Sequence, residues 1–220
     1  MIWWMNSMYN CFAYAEYISL YNSTGTGLQA LIDICAVYAG KCRFNFGIRK
    51  CQCISAGYKP DCFVTEPIWY LNENIMETVT KLEILDVTFT NNDTCSDHVP
   101  NRVDKCRRAF YSLSNISMNY PGLNNNNKSQ LYSSMCLLTL TYGMQCANLS
   151  SPDKSILNSA QGGIIKKMFG LSKRSRHTNI LRAMNLDNVT TEIGNYTKSA
   201  FKRLCSKSFP TKNVCYHLLS

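Results

Sequence analysis

Twelve cysteines carry most of the chemistry this chain of 220 residues could perform. A thiol can bridge to a second thiol, bind a soft metal as thiolate, or attack an electrophile. The spacing favours bridging. Cys95 and Cys106 are eleven residues apart, Cys136 and Cys146 ten, and Cys205 and Cys215 ten. At about 1.5 Å rise and 3.6 residues per turn, each pair spans about 15–17 Å of helix and stays on one side of it. Two such helices laid antiparallel would be stapled twice, Cys95 to Cys146 and Cys106 to Cys136. The remaining six, Cys11, Cys35, Cys42, Cys51, Cys53 and Cys62, are read as disulfide partners too, with their connectivity left open.

A metal is the rival use of those thiols. Cys35, Cys42, Cys51, Cys53 and Cys62 crowd into one stretch, yet the one-residue gap between Cys51 and Cys53 is tighter than the C-x2–4-C ligand spacing of structural zinc sites. No metal and no other cofactor is expected. Catalysis fares no better. His98, His177 and His217 are the three histidines, and none lies in an H-E-x-x-H, G-x-S-x-G or phosphate-loop pattern. The chain reads as a non-enzyme, with an unrecognised secreted hydrolase as an alternative.

Charge supplies the third chemical feature. Residues 1–100 hold six Lys/Arg against ten Asp/Glu, a net of −4; residues 101–220 hold seventeen against four, a net of +13. From Lys154 to Leu186 there are seven basic residues and no acid. Lys166, Lys167, Lys173, Arg174, Arg176 and Arg182 form the candidate anion-binding set, and Lys173-Arg174 is also a dibasic pair. Ile164, Ile165, Met168 and Leu171 share one helical face, with Phe169 broadening it. A basic amphipathic helix of this kind suits an anionic glycan or an acidic membrane surface. An ordinary globular helix shows the same pattern, its apolar stripe packed in a core. No nucleic-acid module accompanies the charge, so specific nucleic-acid binding is not expected.

The elements that must position these residues read as mostly α. Val99, Val103, Cys106, Phe110 and Leu113 recur at helical steps, with Asp97 as candidate N-cap. Leu131, Met135, Leu138, Tyr142 and Cys146 repeat the pattern, and Leu137, Leu140 and Met144 lie outside it, so this helix is expected to be central. Leu28, Leu31, Ile32, Cys35 and Tyr38 form a stripe, as do Ile75, Met76, Val79, Leu82 and Leu85, and then Ile193, Tyr196, Ala200 and Leu204. Only Val87–Thr90 reads as strand. Thr24–Gly27 is expected to separate two helical segments, Pro121–Asn127 to be a turn between helices, and Ser150–Asp153 to end a helix.

The chain divides in three: a first cysteine-rich helical module over 1–70, a connecting helix and linker over 71–94, and a second cysteine-rich module over 95–220 with a basic insertion at 150–190. The fold is expected to consist of disulfide-braced helical hairpins, as one body or as two related six-cysteine modules. Tyr38-x3-Cys42 matches Tyr142-x3-Cys146, and Cys11–Cys35 matches Cys106–Cys136. The first half lacks a counterpart of Cys95, which fits a chain that begins inside a longer product.

The compartment is set by redox logic. Paired cysteines imply an oxidising environment. Seven sequons, at Asn22, Asn92, Asn115, Asn127, Asn148, Asn188 and Asn195, exceed what composition alone gives and suit a glycosylated, secreted protein. A signal peptide is not present in the given chain: residues 1–20 have no basic start and too short an apolar run. The cysteine-spaced helices resemble the secreted cysteine-rich helical proteins of invertebrates, the uncharacterised multi-cysteine domains of nematodes among them. That resemblance covers most of the chain by spacing and implies no assigned chemistry. Cys136-x9-Cys146 and Cys205-x9-Cys215 also look like the twin C-x9-C hairpins of the mitochondrial intermembrane space, which gives an alternative compartment. The function expected is that of a secreted, glycosylated, disulfide-rich helical binding protein, with a basic anion-binding surface in its second half. Neither its ligand nor its oligomeric state is written in the sequence.

Overall fold

The computed structural model describes residues 11–55, 68–92, 97–113 and 122–206. The fold is mostly helical, and the chain divides into two compact units. Of the described residues, the first takes in 11–55, 68–82 and 90–92, and the second 83–89, 97–113 and 122–206.

The first unit holds more strand than the sequence pattern suggested. Strands β1 (Cys11–Tyr14) and β2 (Tyr17–Leu20) form an antiparallel hairpin, so Thr24–Gly27 comes after a hairpin rather than a helix. Helix α1 (Gly25–Lys41) starts where the Thr24 hydroxyl accepts from the Gly27 amide at 3.2 Å. Its Ile32 and Ala39 are buried, with Leu28, Leu31 and Cys35 partly exposed at the margin of the same side. Strands β3 (Gln52–Cys53) and β6 (Glu77–Thr78) pair in parallel, while β4 (Tyr70–Leu71) and β5 (Asn74–Ile75) pair antiparallel. Gln29 docks the helix on β4: its amide donates to the Tyr70 carbonyl at 2.8 Å and accepts from the Tyr70 amide at 3.0 Å. Among the described residues the core here is built from Ile32, Cys53, Trp69, Leu71 and Met76.

The helix expected over Ile75–Leu85 is replaced by β5, β6, β7 (Lys81–Ile84) and β8 (Val87–Thr90). Two-residue turns decide this. Asn72 and Glu73 have φ of 48° and 66°, and Leu85 and Asp86 have φ of 49° and 64°, the double left-handed geometry that closes a tight hairpin. Lys81-Leu-Glu-Ile84 also alternates between exposed and half-buried, which is a strand period.

The second unit is helical. Helix α2 (His98–Leu113) buries Val99, Val103, Cys106 and Phe110 as the stripe predicts. Helix α3 (Asn125–Leu131) is capped by Asn124, whose side chain accepts from the Asn126 amide at 3.2 Å. The Asn run therefore enters a helix instead of forming a turn. Residues Tyr132–Leu137 form a π turn that continues into α4 (Leu138–Thr141). Here the expected face is displaced: Tyr132, Cys136, Leu137, Leu140 and Met144 are buried, while Met135, Leu138 and Tyr142 are exposed.

Ser150–Asp153 begins a helix rather than ending one. Ser150 accepts from the Asp153 amide, and Asp153 accepts from the Ser150 amide at 3.0 Å. That reciprocal cap, with Pro152 in the first turn, starts α5 (Ser151–Met168). Helices α6 (Thr178–Ala183) and α7 (Val189–Ser206) complete the unit. Helix α2 packs on the π turn, α4 and α5, and α7 packs on α4 and α5. The core runs through all of them, from Val99 to Ile193.

Candidate functional site: the basic face of the second unit

Helix α5 turns the apolar residues of its C-terminal half inward and keeps its basic residues outside, while Ile156 near its start is exposed. Ile164, Ile165 and Met168 are buried at 4%, 0% and 3% exposure, and Phe169 is half-buried against the same core. The stripe that could have entered a lipid surface is spent on packing. Leu171 lies beyond the helix and is exposed. Gly170, at φ +64°, ends the helix in the left-handed conformation glycine adopts without strain.

The cations stay outside. Lys167, Lys173, Arg174, Arg176 and Arg182 are exposed or partly exposed and Lys166 is at the surface beside them. Among the described residues, none of the six pairs with a carboxylate. Two are held in place. Lys166 Nζ donates to the Lys173 carbonyl at 2.8 Å, tying the basic loop back to the helix. Lys167 Nζ hydrogen-bonds the Tyr111 hydroxyl and lies 4.8 Å from the centre of the Tyr111 ring, a cation–π arrangement. Gly162 lets the loop approach: a Cβ there would stand 2.8 Å from Nδ1 of His177. Burial, with the Lys166 charge adding, lowers the His177 pKa.

A shallow cavity of about 130 Å³ opens where α5 meets α2, lined by Arg107, Phe110, Tyr111, Ser159, Gly163 and Lys167 among others. The sequence singled out Lys167 but not Arg107 or Tyr111. Those two lie one helical turn apart on α2, yet only tertiary packing brings them to α5. A larger open groove of about 630 Å³ runs beside the π turn, with Ser129, Ser133, Ser134, Glu192 and Tyr196 in its wall. No Lys or Arg lines it, so it is not part of the basic face.

A second polar cluster clasps the tip of the β7–β8 hairpin. Arg102, 3% exposed, donates to both the carbonyl and the carboxylate of Asp86 and lies 4.6 Å from the centre of the Tyr142 ring. Lys105 binds the same carboxylate, and the Tyr142 hydroxyl donates to the Leu85 carbonyl at 3.0 Å. The Lys105 hydrogen bond, with Arg102 beside it, holds the Asp86 carboxyl down to about 2 against the opposing effect of burial. These bonds hold Leu85 and Asp86 in their left-handed conformation. The role of the clasp is to position: the Arg102 terminal nitrogen, the Lys105 ammonium and the Tyr142 hydroxyl are engaged with Asp86 and the hairpin backbone.

The cysteines divide by place. Cys11, Cys35, Cys42, Cys51, Cys53, Cys106 and Cys136 stand as free thiols; Cys62, Cys95 and Cys215 and the side chains of Cys146 and Cys205 lie outside the described residues. No disulfide joins the pair expected from spacing among the described residues, Cys106 and Cys136, which are neighbours as free thiols. Cys106 and Cys136 meet in the core, both fully buried, and Cys106 Sγ is 3.1 Å from the Cys136 carbonyl oxygen. Hydrogen bonding between the two thiols raises the Cys106 pKa, with burial adding, and lowers that of Cys136. The other expected pair, Cys95–Cys146, lies outside the described residues. In the first unit Cys11 is near enough that its charge adds to the effect of burial in raising Cys35. Burial, helped by Cys51, pushes Cys53 up to about 11.

Of the sequon asparagines, Asn92, Asn127, Asn148 and Asn195 are at or near the surface, and Asn22 and Asn188 are half-buried. Asn115 lies outside the described residues. At Asn188 the side-chain oxygen accepts from the Thr190 amide and hydroxyl at 3.1 and 3.0 Å, which starts α7. Among the described residues no three His, Cys, Asp or Glu side chains gather as metal ligands, and no helix is long and apolar enough to cross a membrane. No family model matches the chain, and no curated protein or solved structure matches it either.

Proposed function

We propose that the chain is a secreted, glycosylated binding protein whose helical second unit presents the basic face of α5 to an anionic glycan. The observation that carries this reading is the division of α5: Ile164, Ile165 and Met168 are committed to the core, and the cations of the segment face outward without acidic partners among the described residues. Unpaired surface cations on one face form a local positive field that attracts polyanions. An acidic membrane is the weaker occupant, because interfacial binding draws its strength from buried apolar area, and Ile164, Ile165 and Met168 have none to offer.

Disulfide bracing belongs to the same proposal. The contact of Cys106 with Cys136 supports a buried bridge between α2 and the π turn. The surface sequon asparagines suit glycans that leave both cores intact.

Retention on heparin and on anionic vesicles, across a salt series, tests the binding face. The replacement of Lys166, Lys167, Lys173 and Arg174 by Ser is expected to weaken heparin retention, most at low salt, where screening over about 8–10 Å is relaxed. Vesicle binding is expected to be weak in the parent protein. Equal heparin retention of parent and variant rejects the face, and strong vesicle binding by the parent replaces glycan with lipid.

A further inference from the structure

We propose that the cavity between α2 and α5 is a seat for one oxyanion, the sulfate or carboxylate group of an acidic saccharide, gripped between Arg107 and Lys167. The inference rests on the anion-binding reading above and names the point where a diffuse field becomes a defined contact.

Several features of the cavity converge. Its volume of about 130 Å³ suits one compact group and the edge of a ring, not a whole oligomer. Phe110, Ala160 and Ile164 give it an apolar floor, and all three are buried in the core, so the floor is rigid. Arg107 and Lys167 stand on its rim from different helices. An oxyanion placed between them would accept charge-assisted bonds from both, the stronger class of hydrogen bond. The apolar floor would meet the C–H face of the sugar that carries it.

Both cations are suited to the task. The partner the structure gives Arg107 is Asp104 at 3.2 Å, three residues away, with the two side chains 57% and 60% exposed. A surface pair of this kind contributes little, so the guanidinium can turn to a better acceptor. Lys167 is already held, through its hydrogen bond to the Tyr111 hydroxyl and its position 4.8 Å from the ring centre. Holding it there lowers the side-chain entropy that binding would otherwise cost. The Ser159 hydroxyl and the open wall at Gly163 complete the lining.

Gly163 makes the proposal testable without touching a charge. A Cβ there meets nothing within 4 Å, and the position is interior to α5, where glycine is the poorest helix former after proline. Gly163→Leu is therefore expected to fold, melt at the same or a higher temperature, and fill the cleft.

The experiment compares binding of a sulfated disaccharide, followed by amide chemical shifts, with retention on full-length heparin. In the parent, disaccharide-induced shifts are expected on Arg107–Tyr111 and Ser159–Lys167. Gly163→Leu and Arg107→Gln are each expected to weaken disaccharide binding about tenfold or more, the scale of a lost charge-assisted contact. Gly163→Leu is expected to leave polymer retention within about twofold, because the outer cations remain. Lys173→Ser with Arg174→Ser is expected to do the reverse. Inorganic sulfate alone is expected to bind more weakly than the disaccharide. If Gly163→Leu binds the disaccharide as well as the parent, the cleft is overturned while the basic face stands. If the parent fails to bind heparin at all, the face itself is overturned. If inorganic sulfate binds as tightly as the disaccharide, the saccharide assignment is overturned.

Discussion

His98 accepts from the Thr88 amide at Nδ1, 3.3 Å away, and donates from Nε2 to the Tyr142 carbonyl at 3.2 Å. That pattern needs the neutral ring with its proton on Nε2, because a charged imidazole has no acceptor left for Thr88. Burial lowers the His98 pKa below its ordinary 6.5 against the opposing hydrogen bond to Tyr142; the nearby charges act in both directions, Arg102 and Lys105 lowering it and Asp86 raising it. Linkage gives the sign. Below pH 6.5 the unfolded chain takes up a proton that the folded unit resists, so stability falls as pH drops from 6.5 toward the lowered value. Asp86 adds a second decline at lower pH, since its carboxylate, held down to about 2, loses its stabilising effect as pH falls from 3.8. Urea unfolding of the second unit is expected to show lower stability at pH 5 than at pH 7.5, and His98→Gln to flatten that difference while lowering stability at both. Parallel pH curves for parent and variant would remove His98 from the account. His98 follows the candidate N-cap Asp97 in sequence and stands at the first position of α2. Its two partners, ten and forty-four residues away, were beyond any local pattern.

Helix α5 shows what a single element can carry. Gln161, with no exposed surface, donates to the Asp187 carbonyl at 3.0 Å and accepts from the Val189 amide at 2.9 Å. One amide side chain therefore satisfies the backbone where α7 begins. Gln161→Leu keeps the volume but leaves both backbone groups without that partner, at a cost of about 2–4 kcal/mol. The variant is expected to unfold at lower urea and to lose hydrogen-exchange protection early in α7. A change below about 0.5 kcal/mol, the range of neutral surface substitutions, would show that the clamp is dispensable. Helical periodicity made α2 and the buried side of α5 legible, because each offers one apolar face. It misread the helix after Leu131, which has two apolar faces: Leu131–Met135–Leu138–Tyr142 and Tyr132–Cys136–Leu140–Met144. Only packing against α2 chooses between them. It also misread Ile75–Leu85, where left-handed turns at Asn72–Glu73 and Leu85–Asp86 outweigh a fortuitous helical spacing. The cations of the basic face were legible as charge, while the cleft was not, because Arg107 and Lys167 are sixty residues apart in the chain.

At the scale of the molecule the two units differ in how much holds them together. Among the described residues, the core of the second gathers buried side chains from α2 through α7, while that of the first rests on five, one of them Cys53. A small core gains more from covalent staples. With bridges formed, each is worth about 2–4 kcal/mol, a large share of what the first unit could have and a smaller share for the second. Complete reduction at neutral pH is therefore expected to erase hydrogen-exchange protection in α1 and its strands while α2 and α5 keep most of theirs. Equal loss in both units would place the bracing in the wrong half. Thiol counting before reduction supplies the companion measurement: two free thiols or fewer are expected under denaturing, non-reducing conditions, and six or more would reject the disulfide proposal.

The π turn at Tyr132–Leu137 has a consequence for how this chain can vary. One turn of π-helix is an α-helix carrying a single inserted residue, and here it sets Tyr132 and Cys136, buried within the turn itself, in register with Leu140, buried in the helix that follows. Deleting one residue from Ser133–Met135 would restore a regular helix and rotate its C-terminal part by about 100° relative to its N-terminal part. Tyr132, before the deletion, and Leu140, after it, could then not both keep their places in the core. A stretch rich in serine, where a shortened version looks harmless, is thus a place where length is fixed while side-chain identity on the exposed face is free to drift.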